Sequence, residues 1–265
     1  MEWWLAYLAM GLFVGFFAGM LGIGGGVILV PLMVFVFGAQ DFPADRILHL
    51  ALGTSLCSIV FTSVSSVRAH QKRGAVLWEI VRQSAPGLVV GVLLGTLIAD
   101  RLESRHLAMF FVAFVYYAAV QLFLDIKTRP SRQLPGKAGM SIAGLGIGTI
   151  SSWVGVGGGV LTVPLMSFCN VPLRNAIATS AALGLPIALS GSLGYIYTGL
   201  GKNHLPALSL GYVYLPALIG IVVGTFLTVP VGARVAHGMP LRALKRIFAA
   251  MLFILASRML WSLMR

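Results

Sequence analysis

Charge is scarce in this chain. Only 10% of its 265 residues are charged, against 58% hydrophobic, whereas a soluble domain carries about a quarter charged residues. So few charges cannot cover a water-facing surface, which excludes a soluble enzyme or binding module and makes the chain an integral membrane protein. Acids are scarcer still. The seven present all fall at or near the ends of apolar segments, Glu79 reading as the most nearly buried. The intramembrane carboxylate relay typical of proton pumps is therefore missing. Cysteine occurs twice, as Cys57 and Cys169, each inside an apolar run. Small buried core residues are expected there rather than a disulfide or a metal site. No metal-ligand spacing occurs. Neither a Gly-X-Ser-X-Gly elbow nor a phosphate-binding Gly-X4-Gly-Lys is present. No catalytic residue, metal or cofactor is expected, and the chain reads as a non-enzyme. The apolar stretches do not alternate like barrel strands. The opening Met-Glu-Trp-Trp lacks a basic n-region and a cleavage site, so it reads as a first membrane segment.

Against these absences stands one doubled motif. Residues Leu21 to Met33 read Leu-Gly-Ile-Gly-Gly-Gly-Val-Ile-Leu-Val-Pro-Leu-Met. Residues Val154 to Met166 read Val-Gly-Val-Gly-Gly-Gly-Val-Leu-Thr-Val-Pro-Leu-Met. In both copies a glycine run interrupts an apolar stretch, and a proline follows. Self-similarity of this kind decides the fold before any local feature does.

Segment lengths support two related halves. Crossing about 30 Å of hydrocarbon takes about 20 apolar residues. Residues 3–21 suffice, whereas 27–38 are too short. Full spans then follow at 47–67, 78–99 and 107–124. Residues 125–137 are the most polar stretch. After them, 138–153 precede the second glycine run, 160–169 are again too short, and 175–198, 207–229 and 241–263 are full spans. The expected fold is an all-α polytopic membrane protein. A first transmembrane repeat covers 1–124, a cytoplasmic linker 125–137 and a second repeat 138–265. Each repeat holds a broken or re-entrant helical hairpin plus three spanning helices; lengths leave both forms of the hairpin open.

The net charge of +12 sits mostly in short connections, so topology explains it better than nucleic acid does. With the linker inside, the inner connections hold Arg68, Lys72, Arg73, Lys127, Arg129 and most other cations, while most acids fall outside. That is the positive-inside pattern. It predicts a multi-pass protein of the inner membrane with both termini outside and two halves of inverted topology.

The glycine runs are the first candidates for chemistry. Gly24, Gly25 and Gly26, and Gly157, Gly158 and Gly159, each precede a short helix at membrane depth. Amides at a helix start carry partial positive charge and bind anions. Glycine leaves them uncovered. Close helix packing is the alternative use of small residues, but two runs in register favour an anion site. Thr54, Ser55, Thr179 and Ser180 stand at matching places in the next spans, and their hydroxyls could donate to an oxyanion; the alternative is back-bonding to a carbonyl one turn earlier. Ser151, Ser152 and Asn175 flank the second run. Arg68, His70, Lys72 and Arg73 form a basic cluster suited to topology, with a supplementary role in gathering anions.

These features resemble the TauE/SafE family of membrane permeases: the doubled Gly-X-Gly-Gly-Gly followed by Val-Pro, the Thr-Ser pairs, and His70-X3-Gly74. The likeness covers nearly the whole chain. It implies that Gly22 to Gly26, Gly155 to Gly159, Thr54, Ser55, Thr179 and Ser180 hold the family's motif positions. It also implies export of sulfite or a small organosulfonate such as sulfoacetate. The expected activity is secondary permeation of a small sulfur-containing anion across the lipid bilayer, outward, by alternating access as one half rocks against the other. A non-transporting scaffold or assembly subunit, or an anion channel using the same site, is the alternative.

Overall fold

Long apolar runs broken by glycine and proline make helices of two lengths. The computed structural model describes residues 2–21, 25–124, 133–238 and 241–264. Among the described residues it forms α1 (Glu2–Leu21), α2 (Gly26–Gly38), α3 (Ile47–Lys72), α4 (Trp78–Arg101), α5 (Ser104–Phe123), α6 (Lys137–Val154), α7 (Gly159–Phe168), α8 (Leu173–Gly199), α9 (Leu215–Gly238) and α10 (Leu241–Met264). Seven of these (α1, α3, α4, α5, α8, α9 and α10) contain a stretch long and apolar enough to cross a membrane. The short α2 and α7, of 13 and 10 residues, reach only about 20 and 15 Å at 1.5 Å per residue. Of the expected linker, residues 125–132 lie outside the described residues, and α6 begins at Lys137.

Both broken hairpins return to the end they came from. Just past α2, Gln40 accepts a hydrogen bond of 2.8 Å from the Tyr7 hydroxyl near the start of α1. In the second hairpin, α6 begins alongside the first half of α4, where Ser141 meets Gly87. After α7 the chain reaches α8, whose Asn175 amide donates to the Ala75 carbonyl just before α4 (3.0 Å). The most buried of the spanning helices, α3 and α8, run antiparallel: Leu56 meets Gly191, and Ser63 meets Gly184.

Two glycine stripes dominate the packing. Gly11, Gly15 and Gly19 lay α1 against α9; Gly87, Gly91 and Gly95 lay α4 against α6. A Cβ at Gly15 would stand 2.6 Å from the Thr225 Cα, and one at Gly91 would stand 2.8 Å from the Leu145 carbonyl carbon. Glycine every fourth residue lets two backbones approach where lipid offers no hydrophobic drive for association. These stripes carry a correction. Each pair joins a helix from the first half to one from the second, so the halves interlock and cannot rock past one another as separate bodies.

A second correction concerns residues 207–214, expected as the start of a span. They form a two-stranded ribbon, β1 (Ser209–Leu210) paired antiparallel with β2 (Val213–Tyr214). Pro206 has no N–H for a helix, and Leu208 and Gly211 take positive φ of 67° and 56°. The freed backbone finds tertiary partners instead: Tyr212 N–H donates to the Tyr195 carbonyl (3.1 Å) and Tyr214 N–H to Thr54 Oγ1 (3.0 Å).

The stripes predict opposite outcomes for neighbouring glycines. Gly91→Val should cost at least about 1–3 kcal/mol through overpacking and collapse the monodisperse peak in detergent gel filtration. Gly146→Ala on α6, with nothing within 4 Å of its added Cβ, should leave that peak and its melting temperature unchanged.

Candidate functional site

The two glycine runs meet. A Cβ built on Gly26 would collide with the carbonyl oxygen of Gly155 and lie 3.2 Å from Ser55 Oγ. Ser55 itself donates to that same carbonyl at 2.9 Å. Gly24 lies outside the described residues, together with Gly22. Both short helices start with the same hydrogen-bond pattern, from caps of different backbone angle (φ −70° at Gly25, +80° at Gly158). Gly25 caps α2, its carbonyl accepting from Ile28 N–H (3.1 Å) and Leu29 N–H (2.9 Å). Gly158 caps α7, its carbonyl accepting from Leu161 N–H (3.0 Å) and Thr162 N–H (2.8 Å). The first amides of each helix thus have no acceptor within the helix. Gly158 holds φ +80°, a left-handed angle that other residues rarely adopt.

A cavity of about 280 Å³ runs from these helix starts along α3. From Ile59 at its floor to His70 at its rim is about 16 Å of helix at 1.5 Å per residue. Gly25, Gly157, Gly159 and Ser180 line it among the expected site residues. The α1–α9 pair closes the other wall through Gly19, Thr225 and Val229. Its lining carries no formally charged side chain among the described residues, and His70 is the titratable group. Hydroxyls provide the polarity: Thr62, Ser63, Ser65 and Ser66 descend one side of α3. These four escaped the reading of the sequence, though four hydroxyl residues within one helix end were the available signal.

The Thr-Ser pairs divide by role. Thr54 Oγ1 accepts from Tyr214 N–H, and Thr179 Oγ1 accepts from Leu77 N–H, both at 3.0 Å. Each threonine holds the backbone just ahead of a long helix, α9 or α4, and neither lines the cavity. Ser55 is committed to Gly155. Ser180 pairs with Thr162 at 2.6 Å, and Thr162 also reaches the Gly158 carbonyl at 3.0 Å. Thr162 has one proton to give: donated to the Gly158 carbonyl, it leaves Ser180 donating to Thr162, and donated to Ser180 instead, it frees the Ser180 proton to face the cavity. Gly26, Gly158, Ser55, Thr54 and Thr179 stand behind or beside the cavity wall rather than on it. Of the flanking residues, Ser152 donates to the Thr149 carbonyl (2.7 Å), and buried Ser151 Oγ has no hydrogen-bond partner.

One acid departs from expectation. Glu79 is exposed, and Asp100, at the end of α4, is the protected one, its side chain 17% exposed. Lys202 Nζ sits 2.8 Å from one carboxylate oxygen, and the Tyr212 hydroxyl donates to the other at 2.9 Å. Arg46 Nη1 donates to the Tyr212 oxygen at 2.9 Å. Burial, then the bond to Asp100, push the Tyr212 pKa above that of an ordinary phenol, so it stays protonated and keeps donating. This cluster lies at the opposite end of α3 from His70.

Helices of spanning length, broken hairpins whose glycine runs meet and a polar cavity leading to them define a membrane transporter. The family model described as sulfite exporter TauE/SafE matches residues 7–259. The chain belongs to the TauE/SafE family. It is 36% identical over 257 residues to a probable membrane transporter protein of Haemophilus influenzae, covering 96% of this chain and 97% of that one. It is 27% identical over 224 residues to the probable membrane transporter protein YunE of Bacillus subtilis, covering 77% and 81%. A probable membrane transporter protein of Methanocaldococcus jannaschii is 25% identical over 230 residues, covering 84% and 80%.

The threonines and the cavity should separate in mutants. Thr179→Val, which strips an acceptor from Leu77 N–H, should lower stability by about 1–3 kcal/mol in chemical denaturation while anion affinity stays within twofold. A tenfold loss of affinity at unchanged stability would put Thr179 in the binding site instead.

Proposed function

We propose that the transporter moves a small sulfur-containing anion, sulfite or an organosulfonate such as sulfoacetate, outward through the inner membrane. The carrying observation is that Gly25, which caps α2, and Gly157 and Gly159, at the start of α7, line one polar cavity whose described residues carry no charged side chain. An oxyanion there takes hydrogen bonds from the first amides of α2 and α7 and from Ser180. The two helix ends add their positive partial charge. Hydrogen bonds to a charged group are worth about 1.5–3 kcal/mol each, so about three of them hold the anion with a dissociation constant between roughly millimolar and micromolar. That is tight enough to select and loose enough to release.

The lack of a bound charge partner suits export. The membrane potential is worth about 2.3 kcal/mol per charge per 100 mV and drives an anion outward without a coupling ion. In this reading the termini lie outside and His70 faces the cytoplasm with Arg68, Lys72 and Arg73, which raise the local anion concentration at the cavity mouth. Because the halves interlock, alternating access is a movement of the α1–α9 and α4–α6 pairs against the central α3–α8 pair. The two hairpins, returning to opposite ends, fit an inverted repeat built around one site.

Filling the cavity tests the reading. Ala181 lines it, and Ala181→Trp should cut sulfite efflux from loaded proteoliposomes at least tenfold with normal insertion and folding. Efflux at the parent rate in the folded variant contradicts the site; saturating exchange in the parent distinguishes a carrier from a channel.

A further inference from the structure

The cavity has a counterpart that is shut. The repeat matches each wall residue to another position. Ala18 stands to Gly25 as Ser151 stands to Gly158. His70 follows Ser55 by the same interval that Tyr195 follows Ser180. Thr225 and Val229 follow Gly224 as Thr96 and Asp100 follow Gly95. Ala18, His70, Thr225 and Val229 line the cavity. Of their four counterparts, Ser151, Tyr195 and Thr96 are at most 1% exposed, and Asp100 is part-buried at the end of the row.

These counterparts meet in one packed seam where α8 closes on α4 and α6. The Tyr195 hydroxyl donates to the Ser152 carbonyl at 2.9 Å. Trp153 Nε1 donates to the Gly95 carbonyl at 2.8 Å. A Cβ at Gly194 would lie 3.0 Å from the Thr96 Cβ. At the end of the seam the Asp100 carboxylate holds Lys202 and Tyr212 from the α8–α9 connection, and through Tyr212 it reaches Arg46 ahead of α3. Inside the seam, Ser151 Oγ lies 3.7 Å from the position a Cβ would take on Gly158. It is a buried hydroxyl without a partner, a costly condition for a polar group, and it sits beside the start of α7.

We propose that this seam is a second vestibule, closed in this structure. It opens toward the α8–α9 ribbon to pass on the same oxyanion, which takes a hydrogen bond from Ser151. The Asp100–Lys202–Tyr212 cluster is the clamp that keeps it shut. The proposal rests on the transport reading given above. It explains why Ser151 is unpaired, since its partner arrives with the anion. It also explains why a carboxylate and a lysine meet so far from the basic mouth. Opening requires α8 to part from α4 and α6 while the His70 end of α3 closes on α1 and α9.

Thiol labelling tests the seam without needing transport. In a Cys57→Ala, Cys169→Ala background, Ala18→Cys and Ser151→Cys are introduced singly and exposed to a membrane-impermeant thiol reagent from each side. Ala18→Cys should react only from the His70 side, and Ser151→Cys should be nearly inert. Adding Asp100→Asn, or Lys202→Met as an independent break of the clamp, should raise Ser151→Cys labelling from the ribbon side at least tenfold and slow Ala18→Cys labelling. Unchanged rates at both positions in both folded clamp variants overturn the proposal. A lock supplies the second measurement. A Cβ built on Gly194 would lie 3.0 Å from the Thr96 Cβ, about half an ångström inside the roughly 3.5–4.5 Å that a disulfide needs, so a small shift of α8 along α4 accommodates the bond. Oxidising Thr96→Cys/Gly194→Cys should stop sulfite efflux and reduction should restore it; full efflux through the cross-linked form contradicts the gate. Should no sulfur anion be carried by any form, the transport reading fails alone, and labelling still decides whether the seam opens.

Discussion

Backbone amides at membrane depth must have partners. Hydrocarbon offers none, so irregular backbone there survives only against protein or a wet cavity. Both glycine runs break a helix at that depth, and the rest of the structure answers the need this creates. Ser55 bridges from α3 to the Gly155 carbonyl. Thr162 and Ser180 close around Gly158. Gly25 ahead of α2, and Gly157 and Gly159 at the start of α7, are left lining a polar cavity. The same small residues that uncover the amides let the two runs touch.

That need also shapes the packing around the site. A central α3–α8 pair carries the hydroxyls, and two glycine-striped pairs flank it. Each flanking pair draws one helix from each half of the chain. Interlocking secures the halves without apolar collapse, which lipid does not supply. It also restricts how the site can change access. In the gate proposed above, the boundaries that move are those where α8 meets α4 and α6 and where α3 meets α1 and α9, while the glycine-striped α1–α9 and α4–α6 pairs move as units. One such boundary is open along α3 and its counterpart along α8 is packed and clamped.

Much of this was legible in the chain. The doubled glycine motif, the short hairpins and the long apolar segments follow from composition and length alone. The stripes at Gly11, Gly15 and Gly19 and at Gly87, Gly91 and Gly95 escaped the reading of the sequence: the fourth-residue spacing was there, but pairing across halves is a tertiary choice. Long range hid the roles of the threonines. Thr54 and Thr179 serve amides 160 and 102 residues away, and no local pattern marks such a bond. Asp100 read as a solvent-facing span end for the same reason, its partners Lys202 and Tyr212 lying 102 and 112 residues on. The ribbon at 209–214 read as helix because Val, Tyr and Leu suit either state, and the hydrogen bonds from Tyr212 and Tyr214 decide it.

The central claim is that backbone amides and hydroxyls, rather than a lysine or arginine, hold the anion. Anomalous scattering from bound selenite, a heavier analogue of sulfite, tests it most directly. The account predicts a single peak at the cavity floor, within hydrogen-bond reach of the α2 and α7 helix starts and of Ser180. A peak at the basic rim beside His70 and Lys72, with the floor empty, would contradict it.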